Sequence, residues 1–422
     1  QNNDANGDLF TDFFQDNVAS FSQFLGTSNN CDESTFVIAS ENNDASCSNN
    51  GSNFLQPINQ DNHASGTFDS SADQDNNAAA SQNLVADNTC DGTGTDTVEC
   101  SNVDALNSIS TITQNTQASG ALDASTSQFN NAIVDQNMVL LNDCDEGDLG
   151  DNEAFCNILE PTNLVLSITQ TSSNTAGFET TSATIPQTND VEIAQNMHST
   201  NDCDEQGDSN NLADCTNTAG NVIEEIVQSN SAYVADDFVQ TNVIGIINQD
   251  LEETNDCDDT DADVAGDGLN DAQCNNNVRN GVGPVSQSNT ATGTEVTDIA
   301  QNNEISSINQ VRLSDNDCDQ SGPGDNLASC NNGNVVNNGI QSITQINDAT
   351  GDLFTDFFQD NDASFSQTLN LGNNCEQITF FATSENNEAT CRNGDAFNTL
   401  GPVSQSNIAN SHSDSTIDQD NN

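Results

Sequence analysis

The 422-residue sequence contains no tryptophan, one tyrosine, three histidines and only three basic residues, Arg279, Arg312 and Arg392. Against these stand 67 acidic residues, for a formal net charge of −64. Such a chain repels phosphate backbones and anionic membrane surfaces, which excludes nucleic acid as a partner. No apolar run approaches the roughly 18 residues that a spanning helix requires, so membrane insertion is not expected. Only 33% of the residues are hydrophobic and the mean hydropathy is −0.59, too little for a conventional large core. Composition alone would predict disorder, because the apolar surface available for burial does not offset the chain entropy.

Two features oppose disorder. The first is 14 cysteines in seven close pairs: Cys31/Cys47, Cys90/Cys100, Cys144/Cys156, Cys203/Cys215, Cys257/Cys274, Cys318/Cys330 and Cys375/Cys391. The second is an internal repeat that follows them, with first cysteines 54 to 61 residues apart. The repeat is plainest where GDLFTDFFQDNVASFSQ, from Gly7, returns as GDLFTDFFQDNDASFSQ, from Gly351. The chain therefore reads as one array of about seven units, roughly 1–57, 58–111, 112–167, 168–225, 226–284, 285–342 and 343–402, with a partial unit at 403–422.

Each unit carries two motifs. The first, [IV]-x-Q-x-N-x-A, places Gln60 and Asn62, Gln228 and Asn230, Gln287 and Asn289, Gln345 and Asn347, and Gln405 and Asn407. The second, Q-x-N-x-[AVI]-x-x-x-Q, begins at Gln15 and Asn17 and ends at Gln23. It recurs at Gln74 and Asn76, Gln128 and Asn130, Gln187 and Asn189, and Gln359 and Asn361. The copies at Gln240 and Asn242 and at Gln301 and Asn303 are one residue longer. All these positions share one parity, so an extended chain projects them from one face. Helical i, i+3, i+4 spacing is absent, and the density of Asn, Asp, Ser, Thr and Gly disfavours helix.

Buried amides without partners cost about 1–3 kcal/mol each, so such a face needs a geometry that satisfies them. Stacking identical units in register, about 4.8 Å apart, lets each amide donate to one neighbour and accept from the other. The expected fold is all-β: a β-solenoid or stacked β-arch with Gln/Asn ladders, disulfide-stapled units and the cysteine loops projecting at one edge.

The N-x-A-x-x-x-Q core of the second motif, at 17–23, 130–136 and 361–367, resembles half of the curlin repeat of curli functional amyloids. The resemblance implies an extracellular β-solenoid fibre subunit. The period here is near 57 residues where curlin's is in the low twenties, and curlin lacks paired cysteines. The acidic, Asn-rich, disulfide-rich character is also similar in kind to archaeal proteinaceous sheaths and fibres.

Pairing of cysteines within each unit closes short loops, worth about 2.5–3 kcal/mol each in the chain-entropy model. It also points to an oxidising compartment, so a secreted protein of the cell surface or extracellular space is expected. Zinc is disfavoured, since there is no C-x-x-C. The cysteine loops are acidic, and oxygen ligands at alternate positions suit calcium. The candidate ligands are Asp145, Asp148, Asp204, Asp208, Asp259, Asp261, Asp263, Asp319 and Asp325. Asp259, Asp261 and Asp263 open like an EF-hand loop, but Val264 stands where that loop needs Gly and Asn270 where it needs Glu. A solvated negative surface accounts for these carboxylates equally well. No cofactor is required.

His63, His198 and His412 are scattered, and neither G-x-S-x-G nor H-E-x-x-H occurs; no enzyme is expected. The chain opens on Gln1, Asn3 and Ala5, a partial first motif, and closes on Gln419 and Asn421, a partial second motif. Open layers of this kind are expected to stack head to tail on further copies. The expected role is a homopolymeric subunit of an extracellular amyloid-like filament, sheath or surface layer. The alternative is a calcium-dependent adhesin or ligand-binding solenoid that stays monomeric.

Overall fold

The fold was analysed in a computed structural model that describes residues 1–7, 12–34, 43–66, 71–93, 96–120, 126–147, 152–176, 185–207, 210–234, 237–261, 269–293, 298–321, 325–351, 355–378, 387–412 and 415–422. Among these residues there is no helix; nearly all lie in 24 strands.

Eight strands form one sheet: β2 (Asp12–Ser34), β6 (Ser71–Thr93), β9 (Thr126–Gly147), β12 (Ile185–Gly207), β15 (Phe238–Asp261), β18 (Asp298–Ser321), β21 (Asp356–Ile378) and β24 (Ile417–Asn421). The facing sheet takes the returning chain of every unit. Its first half holds β1 (Asn2–Gly7), β3 (Asn43–Asn49), β4 (Ser52–Leu55), β5 (Ile58–Gly66), β7 (Asp96–Val103), β8 (Leu106–Gly120), β10 (Asn152–Leu159) and β11 (Thr162–Ala176). Its second half holds β13 (Asn211–Ile223), β14 (Ile226–Val234), β16 (Leu269–Val282), β17 (Val285–Gly293), β19 (Asp325–Ile340), β20 (Ile343–Gly351), β22 (Asn387–Leu400) and β23 (Val403–Ser411). Each unit thus makes one coil, a long strand out and a bent path back.

Strand pairing is parallel, and equivalent residues of successive units meet: Cys203 registers with Cys144 on one side and Cys257 on the other. The lengthened units are absorbed by bulges. Val191 and Ile193 of β12 pair with Ile244 and Ile247 of β15, and Ile305 and Ile308 of β18 with Ala363 and Phe365 of β21. The extra residue lets Ile244 and Ile247 both stay buried while Ile246 turns outward.

The interior is a set of columns along the stack. On β12 the inward face reads Gln187, Asn189, Val191, Ile193, Gln195, Met197, Ser199, Asn201, Cys203 and Glu205, each at most 2% exposed. Apolar columns separate the amides. One sets Ile193, Ile247 and Ile308 against Ile168, Ile226 and Val285; another contains Leu84, Met138, Met197 and Leu251.

Seven disulfides join the two sheets within each layer, in the pairing expected from the sequence: Cys31–Cys47, Cys90–Cys100, Cys144–Cys156, Cys203–Cys215, Cys257–Cys274, Cys318–Cys330 and Cys375–Cys391. The cysteines themselves lie on strands inside the fold, whereas the segments at 35–42, 94–95, 148–151, 208–209, 262–268, 322–324 and 379–386, where the bracketed loops expected at one edge would turn, lie outside the described residues. Cys90, Cys100, Cys144, Cys156, Cys203, Cys215, Cys257, Cys274, Cys318 and Cys330 are fully buried and form a core column with Ala154, Ala213, Ala272 and Ala328. Sulfur is apolar enough to prefer that interior, and a bridge between the sheets requires both cysteines to face inward.

The two outermost bridges differ from each other. Cys47 also belongs to the buried column: it registers with Cys100, and two residues on, Asn49 of β3 accepts from Asn29 of β2 and donates to Asn88 of β6 in the facing sheet. Cys31 and Cys375 are half-buried. Cys391 registers with Cys330 but is exposed. It lies on β22, the edge strand of its sheet, with β21 across from it and no further described layer covering it. Its exposure comes from that edge position in the stack.

Candidate functional site

The second-motif glutamines form one continuous ladder. The Nε2 of Gln74 donates to Gln15, Gln128 to Gln74, Gln187 to Gln128, Gln240 to Gln187, Gln301 to Gln240 and Gln359 to Gln301, at 2.7–3.0 Å. A second ladder runs from Gln367 through Gln310, Gln249, Gln195, Gln136 and Gln82 to Gln23. A third joins Gln405, Gln345, Gln287, Gln228, Gln170, Gln114 and Gln60.

The asparagines run the other way. Asn17 donates to Asn76, and the chain continues through Asn130, Asn189, Asn242 and Asn303 to Asn361. Asn230, Asn289, Asn347 and Asn407 repeat this in the facing sheet. Asn62 accepts from Asn17, and the hydroxyls of Thr116 and Ser172 bond each other at the intervening positions. Gln donors therefore point toward earlier layers and Asn donors toward later ones.

The amides also lock the two sheets together. Gln195 Nε2 donates to Asn163 O at 3.0 Å and Val222 O at 3.1 Å, carbonyls of two successive strands in the facing sheet. Gln114 likewise reaches Asn76 O and Asn131 O. Side chains of one sheet sit between the layers of the other, so these glutamines are bonded both along the stack and across it.

Two further ladders escaped the motif reading. Asn29, Asn88, Asn142, Asn201, Asn255, Asn316 and Asn373 are linked in order. Asn53, Asn107, Asn163, Asn221, Asn280 and Asn338 are linked in the facing sheet. The first set is visible as N-x-C before every first cysteine. The second stands five residues before the [IV] of the first motif, an odd spacing that spans a bend in the returning chain.

On the outer face of the long-strand sheet, the residues flanking the first cysteines stack into acidic columns. Asp143, Asp202, Asp256 and Asp317 share one register, and Asp91, Asp145, Asp204, Asp258, Asp319 and Glu376 another. Partial burial and the neighbouring aspartates push Asp145 up to about 6, and Asp202 and Asp258 up to about 7. Asp204, Asp256 and Asp319 are raised for the same reasons. A sheet surface that stacks carboxylates at layer spacing is a place where cations relieve repulsion.

The structure divides the expected calcium ligands. Asp145, Asp204 and Asp319 lie in this outer column. Asp325 alternates with the inward Asn326 on β19 and belongs to the outer face of the opposite sheet, so it does not join Asp319. Asp259 is fully buried, on the inner face. Asp148, Asp208 and Asp263, and the side chain of Asp261, lie outside the described residues.

One further charged pair is interior: Arg312 Nη2 lies 3.6 Å from Glu253 Oε2, both fully buried. Burial pushes Glu253 up to about 8 against the pull of Arg312, and lowers Arg312 to about 10.

Comparisons with protein-family models, curated proteins and solved structures match none of them to this chain.

Proposed function

We propose that this chain is a structural subunit that self-assembles through its layers into an extracellular amyloid-like filament, sheath or surface layer. The observation that carries this reading is the continuity of the ladders: equivalent amides bond from layer to layer through the array. Such a ladder has no intrinsic length. Any further layer with Gln, Asn and Cys at these positions extends it, and each extension adds backbone pairing along a 23-residue strand such as β6. The near-identity of the segments from Gly7 and Gly351 supplies matched layers within the sequence itself. Seven disulfides suit an oxidising setting outside the cytoplasm.

The aspartate columns give assembly a cation dependence, since stacking copies brings more charge of one sign together. Negative-stain electron microscopy and fibre diffraction of the purified chain, with and without calcium, test the proposal. Long filaments with a meridional reflection near 4.8 Å are expected. Discrete particles at high concentration in calcium and salt would overturn self-assembly and leave a monomeric binding solenoid.

A further inference from the structure

Two residues after each first cysteine, on the inner face, the long strands place another column. Glu146, Glu205 and Asp259 are in register on β9, β12 and β15, followed by Gln320 on β18. Glu146 and Glu205 are 2% exposed and Asp259 is fully buried. In the facing sheet Ala154, Ala213 and Ala272 form a column, and Asn152, Asn211 and Asn270 stand beside it, each buried and in register. The repeating signature is C-D-[ED] followed by N-x-A-x-C. It is separate from the outer aspartate columns, which project from the other face of the same strands.

Several groups point to a ligand here. The Glu205 carboxylate accepts from Leu212 N at 3.0 Å and faces Ala154 N as well, but the neighbouring Asn211 Oδ1 is buried with no hydrogen-bond donor. Asn211 uses its Nδ2 toward Asn270, so its carbonyl oxygen remains for something else. One layer earlier the column carries Gly92, where a Cβ would collide with Glu146 Oε2. The Glu146 carboxylate fills the place that a side chain there would take. No arginine serves the column: Arg312 is held by Glu253, and Arg279 and Arg392 are exposed.

We propose that this inner column is a file of calcium sites, one in the gap between Glu146 and Glu205 and one between Glu205 and Asp259, completed by amide oxygens such as Asn211 Oδ1. The donors are all hard oxygens, the set calcium takes. Calcium takes about six to eight oxygen ligands in flexible geometry, which suits a dry file of carboxylates and amides better than magnesium, which keeps several waters. A bound cation also reverses the electrostatics of the column. Without one, burial together with Asp259 and Glu146 pushes Glu205 up to about 10.

The competing occupant is a proton, which would turn the acids into neutral links like Gln320. The experiment measures calcium by plasma mass spectrometry on the full chain, loaded with calcium and desalted into metal-free buffer. Exposed aspartates exchange their ions during desalting, whereas buried sites retain them. About two ions per chain are expected to remain, one per gap. Glu205→Gln, which removes the carboxylate shared by both sites and preserves shape, is expected to lose both. Asp258→Asn on the outer face is expected to lose none. Asp259→Asn, which touches one gap, provides a second reading if Glu205→Gln does not fold, and is expected to lose one ion. Metal-free wild-type protein after desalting, or equal retention by Asp259→Asn and wild type, overturns the proposal in favour of the protonated column.

Discussion

Substituting Gln195 by leucine tests whether the amide ladders stabilise the stack or merely decorate it. Gln195 is fully buried. Its Nε2 donates to Gln136 Oε1 at 2.8 Å and to Asn163 O and Val222 O, and its Oε1 accepts from Gln249 at 2.8 Å. Leucine fills a similar volume, so little cavity forms, but the polar neighbours lose their partner. Gln249 keeps Asn221 O and Gly281 O as acceptors; Gln136 Oε1 has no substitute donor and no access to water. One orphaned buried acceptor costs about 1–3 kcal/mol and each lost hydrogen bond about 0.5–1.5, so a total of about 2–4 kcal/mol is expected after the apolar gain of leucine. Gln23, in the same ladder, is only partly buried and accepts from Gln82 at 2.8 Å. Water replaces its partners there, so Gln23→Leu is expected to cost under about 1 kcal/mol. Guanidinium unfolding followed by far-UV circular dichroism, with disulfides intact, reads both. Equal shifts for the two variants, or a Gln195→Leu protein as stable as wild type, would refute the reasoning.

Two other predictions concern charge. Asp145, Asp202, Asp258 and Glu253 all have carboxyls raised in the folded chain, to between about 6 and about 8. The folded state therefore binds more protons than the unfolded one, so their favourable contribution is complete below about pH 4 and lost as pH rises through 6 to 8. In chelator the unfolding midpoint is expected to be higher at about pH 4.5 than at about pH 8.5; a midpoint that rises with pH would contradict this. The second concerns the Glu253–Arg312 pair, in which Arg312 continues the column of Leu84, Met138, Met197 and Leu251 while Glu253 continues the neighbouring column of Ala86, Leu140 and Ser199, placing an ion pair inside the core. Glu253→Leu alone strands a buried guanidinium and is expected to cost about 3–5 kcal/mol, whereas Glu253→Leu with Arg312→Leu should fall within about 1 kcal/mol of wild type or exceed it. A double variant as unstable as the single one would show that the pair is intrinsically stabilising.

Most of the layer plan was legible because its parity is simple. Gln187, Asn189, Val191 and Gln195 sit two or four residues apart on one extended strand, so period-two reading assigns them to one face without further information. What escaped depended on geometry that parity does not carry. Asn221 and Ile226 are both inward although five residues separate them, because the chain bends at 224–225 between β13 and β14 and resets the alternation. Glu205 and Asp204 are adjacent acids in sequence, yet one is buried and the other is exposed. Reading Asp204 as a loop ligand missed that the strand continues past Cys203 to Gly207. The cysteine pairs show the same division: close spacing was enough to pair Cys31 with Cys47 and Cys375 with Cys391. It could not tell that Cys47 is buried between two layers while Cys391 stands exposed on an edge strand. The sheet-to-sheet bonds, such as Gln195 to Val222 O, were hidden because they depend on how the facing layers are staggered.

The polar columns have a role that an apolar interior could not fill. Slipping a strand by two residues preserves which residues face inward, so Ile and Val columns tolerate the shift at little cost. The same slip sets Gln195 level with Ile247 or Leu251 of the next layer and breaks every amide ladder at once. It also separates Cys203 from the plane of Cys144 and Cys257. Apolar burial therefore favours association of any two layers, and the amides penalise all registers but one. For a stack that grows by adding equivalent layers, that penalty falls on every misaligned addition, which is why Gln and Asn are placed at the centre of the layer and the variable residues on its outside.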